Sequence, residues 1–255
     1  MEPEILGLLL AVALAAGWID AVVGGGGLLL LPALLVGAPN APLATLLGTN
    51  KLASVFGTTS AAVAYARKVR VDPRLVVPTA LLALVGSGLG AGLATALTSE
   101  VLQPIIMVVL AGVALMVYFR PTMGAATDPG LRTRNRVLAT IALAGLGVSF
   151  YDGLIGPGTG VFLIIALTAV LGLDFLTASA SAKIVNACTN LGALVVFAVG
   201  GHVDWLLGLT LAVCTIVGAQ LGARTALKRG SGFVRAVLLV VVLALLMRMG
   251  WDLFA

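Results

Sequence analysis

Apolar residues in this chain run in long stretches, without the alternation of a half-buried strand or the narrow stripe of a water-facing helix. Ala44 to Ala66, Leu75 to Leu97, Val101 to Phe119, Phe175 to Val199, Trp205 to Leu227 and Phe233 to Trp251 each approach or exceed the ~20 residues that carry a helix across a bilayer. Lipid gives backbone amides and carbonyls no partners, so such stretches form helices unless they close a barrel, and barrel strands alternate where these runs do not. The pattern predicts an all-α integral membrane protein. Two further runs, Ile5 to Val36 and Val137 to Leu171, are too long for one crossing. Each is interrupted by Gly and Pro, at Gly24-Gly25-Gly26-Gly27 and at Gly156-Pro157-Gly158-Thr159-Gly160, where a helix breaks. Each run is expected to form a hairpin of broken helices that enters and returns on one side.

Composition sharpens this picture. Of 255 residues, 60% are hydrophobic and 10% charged, against about a quarter charged in soluble domains. The N-terminal Met1-Glu2-Pro3-Glu4 lacks the basic segment and small-residue cleavage site of a signal peptide, so the first run is expected to remain in the mature protein. Net charge is +5, but most basic residues fall in short loops, where they act as topology signals, and no nucleic-acid partner is expected. Cys188 and Cys214 lie within apolar spans and read as small buried side chains.

The chain also repeats itself. Asp152 follows Asp20 by 132 residues, and Lys183 follows Lys51 by the same 132. At that spacing Val85, Gly86, Leu89, Gly90, Ala91 and Ala94 recur as Val217, Gly218, Leu221, Gly222, Ala223 and Ala226. Asp72 recurs as Asp204 and Ser99 as Ser231. Composition bias produces chance matches of Ala, Leu and Gly, but it does not put an Asp, a Lys and a small-residue cluster in one register. Two repeats, residues 1–120 and 136–255, are expected, joined by a cytoplasmic linker over 121–135. Matched loops carry unequal charge: Arg67, Lys68, Arg70 and Arg74 follow Ala66, whereas the equivalent loop, Gly200 to Asp204, holds His202 and Asp204. Cytoplasmic loops hold the excess of Lys and Arg, so the halves should have inverted topology. Ser99-Glu100 reads as external, while Arg132, Arg134, Arg136, Lys228, Arg229 and Arg235 read as cytoplasmic. Three spans after each hairpin then put both termini outside the cytoplasm; the turn near Asp174 becomes cytoplasmic without a basic residue of its own.

Ionisable residues inside membrane helices are costly, which makes Lys51 and Lys183 candidates for function. Lys51 lies about seven residues into its span, or roughly 10 Å at 1.5 Å per residue. Lys51, Ser54 and Thr58 share one helical stripe, and Ser179, Lys183, Asn186 and Asn190 share another. Asp20 and Asp152 precede the breaks, and two readings stay open: carboxyls that complete the backbone hydrogen bonds of a broken helix, or proton carriers whose charge responds to a neighbouring lysine. A glycine break that starts a half-helix exposes amides and a positive dipole end, so Gly26, Gly27, Gly158 and Thr159 join the candidate anion site. Pro157 suits the first turn of such a helix. Paired halves with discontinuous helices recur in secondary transporters, which bind substrate at the repeat interface. The stretches Gly86 to Gly92 and Gly218 to Ala223 read instead as close helix packing in lipid.

Several motifs in order carry a family resemblance. Trp18-Ile19-Asp20-Ala21-Val22-Val23-Gly24-Gly25-Gly26-Gly27, then Gly48-Thr49-Asn50-Lys51-Leu52, then Tyr151-Asp152-Gly153-Leu154-Ile155-Gly156-Pro157-Gly158-Thr159-Gly160 and Ser181-Ala182-Lys183-Ile184-Val185-Asn186 resemble the sulfite exporter TauE/SafE family, also called the toluene-sulfonate uptake permeases. The resemblance implies an inner-membrane transporter of small sulfur-containing anions such as sulfite, thiosulfate, sulfoacetate or related organosulfonates, without a cofactor. At the site the halves differ: Asn50 aligns with Ala182, and Ser54 and Thr58 align with Asn186 and Asn190, so the site should be pseudo-symmetric.

The leading expectation is therefore a secondary transporter of a small sulfur anion, with proton coupling as an option, working by alternating access. An anion channel or a carrier of a non-sulfur anion is the alternative, and the sequence leaves homo-oligomers open. A membrane enzyme finds no support in a zinc-like His/Cys cluster, a Walker motif or a nucleophile triad, and His202 reads as a solvated loop residue.

Overall fold

The computed structural model describes residues 3–95 and 127–254, and these are helical with no strand among them. The expected span Val101 to Phe119, the Ser99-Glu100 turn and the linker up to residue 126 lie outside the described residues. In chain order the helices are α1 (Pro3–Val23), α2 (Gly27–Gly37), α3 (Leu43–Ala66), α4 (Pro73–Ala94), α5 (Arg134–Leu154), α6 (Thr159–Leu171), α7 (Phe175–Val199) and α8 (Trp205–Phe254). A 3₁₀ turn, Pro129–Leu131, precedes α5.

Among the described residues, five stretches are long and apolar enough to cross a membrane: α1, α4, α5, α7 and Trp205–Val241 of α8. This is the fold of an integral membrane protein. Helix α3 has 24 residues but a lower hydropathy, because Thr49, Asn50, Lys51, Ser54 and Thr58 lie along it. Its polar side is buried in protein, where a lipid-facing helix could not keep it. The two spans expected between Trp205 and Trp251 form one helical run interrupted at Gly230, whose φ of 74° and ψ of −170° leave the helical region.

Both expected hairpins have unequal arms. The first arm has 21 residues in each half, whereas the second has 11 in α2 and 13 in α6. The breaks share a cause: Gly24 at φ +82° and its equivalent Gly156 at φ +93° both occupy the left-handed region that a β-carbon disfavours.

Helix α1 packs on α8, α4 packs on α5 and α7, and α3 lies against both α7 and α8. Glycines make these contacts close. A β-carbon on Gly218 would lie 2.0 Å from the Leu14 carbonyl oxygen, and one on Gly90 would lie 2.0 Å from the Phe150 carbonyl oxygen. Equivalent pairs recur across the chain: Gly222 abuts Trp18 as Gly90 abuts Phe150, each residue displaced by the same 132.

Helices α3 and α7, equivalent by that offset, run in opposite directions. The start of α3 meets the loop that follows α7: the Asp204 amide donates to Thr49 Oγ1 at 3.0 Å, and Gly48 abuts the His202 carbonyl. At the other end, Arg132 pairs with Asp72, the Asp128 amide donates to the Gly172 carbonyl at 2.7 Å, and Arg136 donates to the Val170 carbonyl at 3.4 Å. The α6–α7 turn, which has no basic residue of its own, is thus held against the basic linker. Asp174 is its clasp, accepting from Leu176 N, Thr177 N, Ser231 Oγ and Thr127 Oγ1 at 2.9–3.0 Å. One end of the bundle gathers Arg67, Lys68, Arg70, Arg132, Arg134 and Arg136, while the loops 38–42 and 200–204 at the other contain no Lys or Arg.

Candidate functional site

Each lysine reaches across to the aspartate of the other half. Lys51 Nζ on α3 donates to Asp152 Oδ2 on α5 at 2.7 Å and to Asn190 Oδ1 on α7 at 3.3 Å. Lys183 Nζ on α7 donates to Asp20 Oδ2 on α1 at 3.4 Å. Both lysines are fully buried. Extracting two charges from water costs several kcal/mol per ion, which only close pairing offsets, so these contacts dictate how the four helices sit together. The carboxylates have gone to the lysines, and carbonyls of the broken helices are met by other groups.

Those groups are hydroxyls. Tyr65 donates to the Ala21 carbonyl at 3.0 Å, Ser179 to the Val22 carbonyl at 3.1 Å, Tyr151 to the Pro157 carbonyl at 2.8 Å and Thr159 to the Gly156 carbonyl at 2.8 Å. Tyr65 was not foreseen as a site residue. A lone tyrosine in an otherwise apolar stretch, whose hydroxyl needs a partner when buried, was the available signal. Thr215 is likewise new, donating to the Ala53 carbonyl at 2.9 Å.

The two breaks touch backbone to backbone. A β-carbon on Gly24 would lie 2.2 Å from the Gly160 Cα, and one on Gly160 would lie 2.3 Å from the Gly24 Cα. Gly27, at the start of α2, faces Pro157 just before α6, with a β-carbon there 3.5 Å from the Pro157 Cα. Beside Gly27 stands Asn50, buried, with an Oδ1 that finds no hydrogen-bond partner among the described residues. Gly158 takes the left-handed conformation at the N-cap of α6.

Asp20, Gly26, Ser54, Thr58 and Thr215 line a cavity of about 10 Å³, room for roughly one water. Thr58 turns its hydroxyl to its own helix, on the Ser54 carbonyl at 2.7 Å, where its equivalent Asn190 reaches Lys51 instead. Asn186 accepts from Thr189 Oγ1 at 3.1 Å. The structure therefore brings Asp20, Gly26, Ser54 and Thr58 to one cavity and Lys51, Asp152 and Asn190 to one cluster. It places Asn50 and Gly27 at the contact between the breaks. Thr159 spends its hydroxyl on the backbone, and Asn186 stands off from both lysine contacts. No group of three His, Cys, Asp or Glu side chains that could hold a metal occurs among the described residues.

Comparison with known proteins extends over nearly the whole chain. Residues 9–249 match the family model described as sulfite exporter TauE/SafE. The chain is 39% identical over 250 residues to a Sinorhizobium protein named probable membrane transporter protein ORF9, covering 98% of this chain and 94% of that one. It is 33% identical over 255 residues to the probable membrane transporter protein YfcA of Escherichia coli, covering 99% and 92%. A probable membrane transporter protein of Haemophilus influenzae is 31% identical over 249 residues. No solved structure matches the chain.

Proposed function

The chain belongs to the sulfite exporter TauE/SafE family of membrane transporters, and from that premise we propose that it is a secondary transporter of small sulfur-containing anions that moves one proton with each anion. The observation that carries this reading is that buried lysines are paired with aspartates, at Lys51–Asp152 and Lys183–Asp20, and one such pair is enough for the exchange. A buried lysine already neutralised by a carboxylate has no net charge to offer. It gains one when the carboxyl takes up a proton, and the anion then restores neutrality: lysine plus carboxylate becomes lysine, carboxylic acid and anion. For a monovalent anion such as hydrogen sulfite, net charge in the site is zero before and after, so no unpaired charge is left in low dielectric; a dianion needs a second proton for the same balance. Substrate and proton enter together or not at all, and that is coupling.

The chemistry of the site supports a compact oxyanion. A lysine ammonium, the Ser54 hydroxyl and the Asn50 carboxamide are donors to several oxygens on one small centre. Two halves of inverted topology fit the opposite directions of α3 and α7 and the exchange of glycine contacts at the 132-residue offset. With the Arg-rich end of the bundle cytoplasmic, the protein sits in the inner membrane with its N-terminus on the opposite side.

The test is uptake of radiolabelled sulfite, thiosulfate or sulfoacetate into proteoliposomes. Saturable uptake that rises with an inside-alkaline gradient fits the proposal. Flux that does not saturate and ignores that gradient would identify a channel instead.

A further inference from the structure

The two ion pairs occupy equivalent positions in the repeat, yet they differ in every feature that bears on exchange. Resting on the coupled-anion reading above, we propose that Asp20 and Lys183 form the working pair, where the proton and the anion bind, whereas Lys51, Asp152 and Asn190 form a fixed strut.

Partner number is the first difference. The Lys51 ammonium has two acceptors, at 2.7 and 3.3 Å. Lys183, fully buried with three N–H donors, has one acceptor at 3.4 Å among the described residues. A buried ammonium held by one long contact is the better receptor for another anion.

Access is the second. The Asp152 side chain is 2% exposed and that of Asp20 is 15%. Asp20 also lines the small cavity with Gly26, Ser54 and Thr58, so room for about one water adjoins its carboxyl. The Lys51 ammonium is instead covered by the second break, close enough that a β-carbon on Gly156 would lie 2.9 Å from Nζ.

Local sequence and backbone are the third. Where Asn190 adds an acceptor for Lys51, the equivalent Thr58 has turned away to its own helix, leaving Lys183 without one. Ahead of Asp152, α5 contains a π-helical stretch, Leu143–Val148, while α1 is α-helical throughout. Among the described residues, the charged and titratable groups near Asp20 are Lys183 on α7 and Lys51 and Tyr65 on α3.

In the proposed cycle Asp20 takes a proton from the aqueous side and becomes a neutral acid. Lys183 then pairs with the oxyanion in place of the carboxylate, and on the far side the proton and the anion leave together. The cavity, with room for about one water, must widen to admit a sulfite-sized ion.

Two measurements on the full chain test this. Dicyclohexylcarbodiimide, which adds to protonated carboxyls in apolar surroundings, should label wild-type Asp20 with a yield that rises as pH falls and should spare Asp152, as mapped by mass spectrometry. Labelling of Asp152 ahead of Asp20 overturns the assignment, and no substrate is needed to see it. In proteoliposomes, Asp20→Asn should lower the ratio of gradient-driven sulfite uptake to sulfite–sulfite exchange at least tenfold, while Asp152→Asn should leave that ratio within twofold of wild type. Equal loss in both variants, or loss in Asp152→Asn alone, refutes the inequality of the pairs. If Asp20→Asn does not fold, Asp20→Glu keeps the carboxyl and should shift the pH midpoint of uptake, with no shift in Asp152→Glu. A wild type that takes up none of the sulfur anions would remove the proposed substrate, and the labelling result would still decide between the aspartates.

Discussion

Lys51 and Asp152 lie 101 positions apart in sequence and meet at 2.7 Å, each side chain 2% exposed. The contact joins α3 of one half to α5 of the other. Its mirror, Lys183 with Asp20, joins α7 to α1, so both pairs stitch the halves together at the level of the helix breaks. An assembly built this way is sensitive to removal of either member of a pair.

Removing one partner of a fully buried pair strands the other. Asp152→Ala should cost about 3–5 kcal/mol of stability, and the double replacement Lys51→Met with Asp152→Leu should recover most of it, because two apolar groups leave no stranded charge. Thermal unfolding in detergent measures both. A single variant as stable as wild type would mean that the pair is not buried as described.

The crossing of the breaks requires glycine. Gly24→Ala places a β-carbon against Gly160 and asks a non-glycine residue to hold φ +82°, which alone costs about 1–2 kcal/mol. Loss of folded, monodisperse protein or of all uptake is expected. Gly92→Ala is the control: nothing lies within 4 Å of its β-carbon, and helix propensity favours the change by roughly 0.5–1 kcal/mol.

Neutral exchange at the site has an electrical consequence. Sulfite uptake as a monovalent anion with one proton should respond to a pH gradient and not to a potassium–valinomycin potential imposed at equal pH. Acceleration by the potential alone would rule out one-to-one coupling.

Asp174 makes a prediction outside the membrane-spanning segments. Burial raises its pKa, but hydrogen bonds from Thr177, Ser231 and Thr127 outweigh burial and hold the carboxyl below its ordinary value of 3.8. A folded-state pKa depressed in this way contributes stability above the unfolded value, lost as pH falls through the folded one. The melting-temperature advantage of wild type over Asp174→Asn should therefore be full at pH 6 and shrink below about pH 4. Asp174→Ala should cost about 1 kcal/mol at neutral pH as a lost N-cap. A difference independent of pH would place the stabilisation elsewhere.

The sequence by itself determined what depends on local pattern. Long apolar runs required helices, because a backbone in lipid must satisfy itself. Phe175 to Val199 was legible to the residue as α7, bounded by the Asp174 cap and by Gly200. The breaks at Gly24 and Gly156 were legible because glycine is the residue that accepts a positive φ. Lys51 and Lys183 stood out because a charge in an apolar span has to be answered by something. The identity of that answer belonged to tertiary structure. One helix fixes which of its residues share a face, but not which residue of another helix that face will meet. Thus Lys51 found Asp152 and Asn190, Lys183 found Asp20 alone, and Tyr65 found the Ala21 carbonyl. The same 132-residue offset that makes the two lysines equivalent in sequence leaves one clamped and the other loosely held, because burial and partner geometry are set where helices from both halves converge.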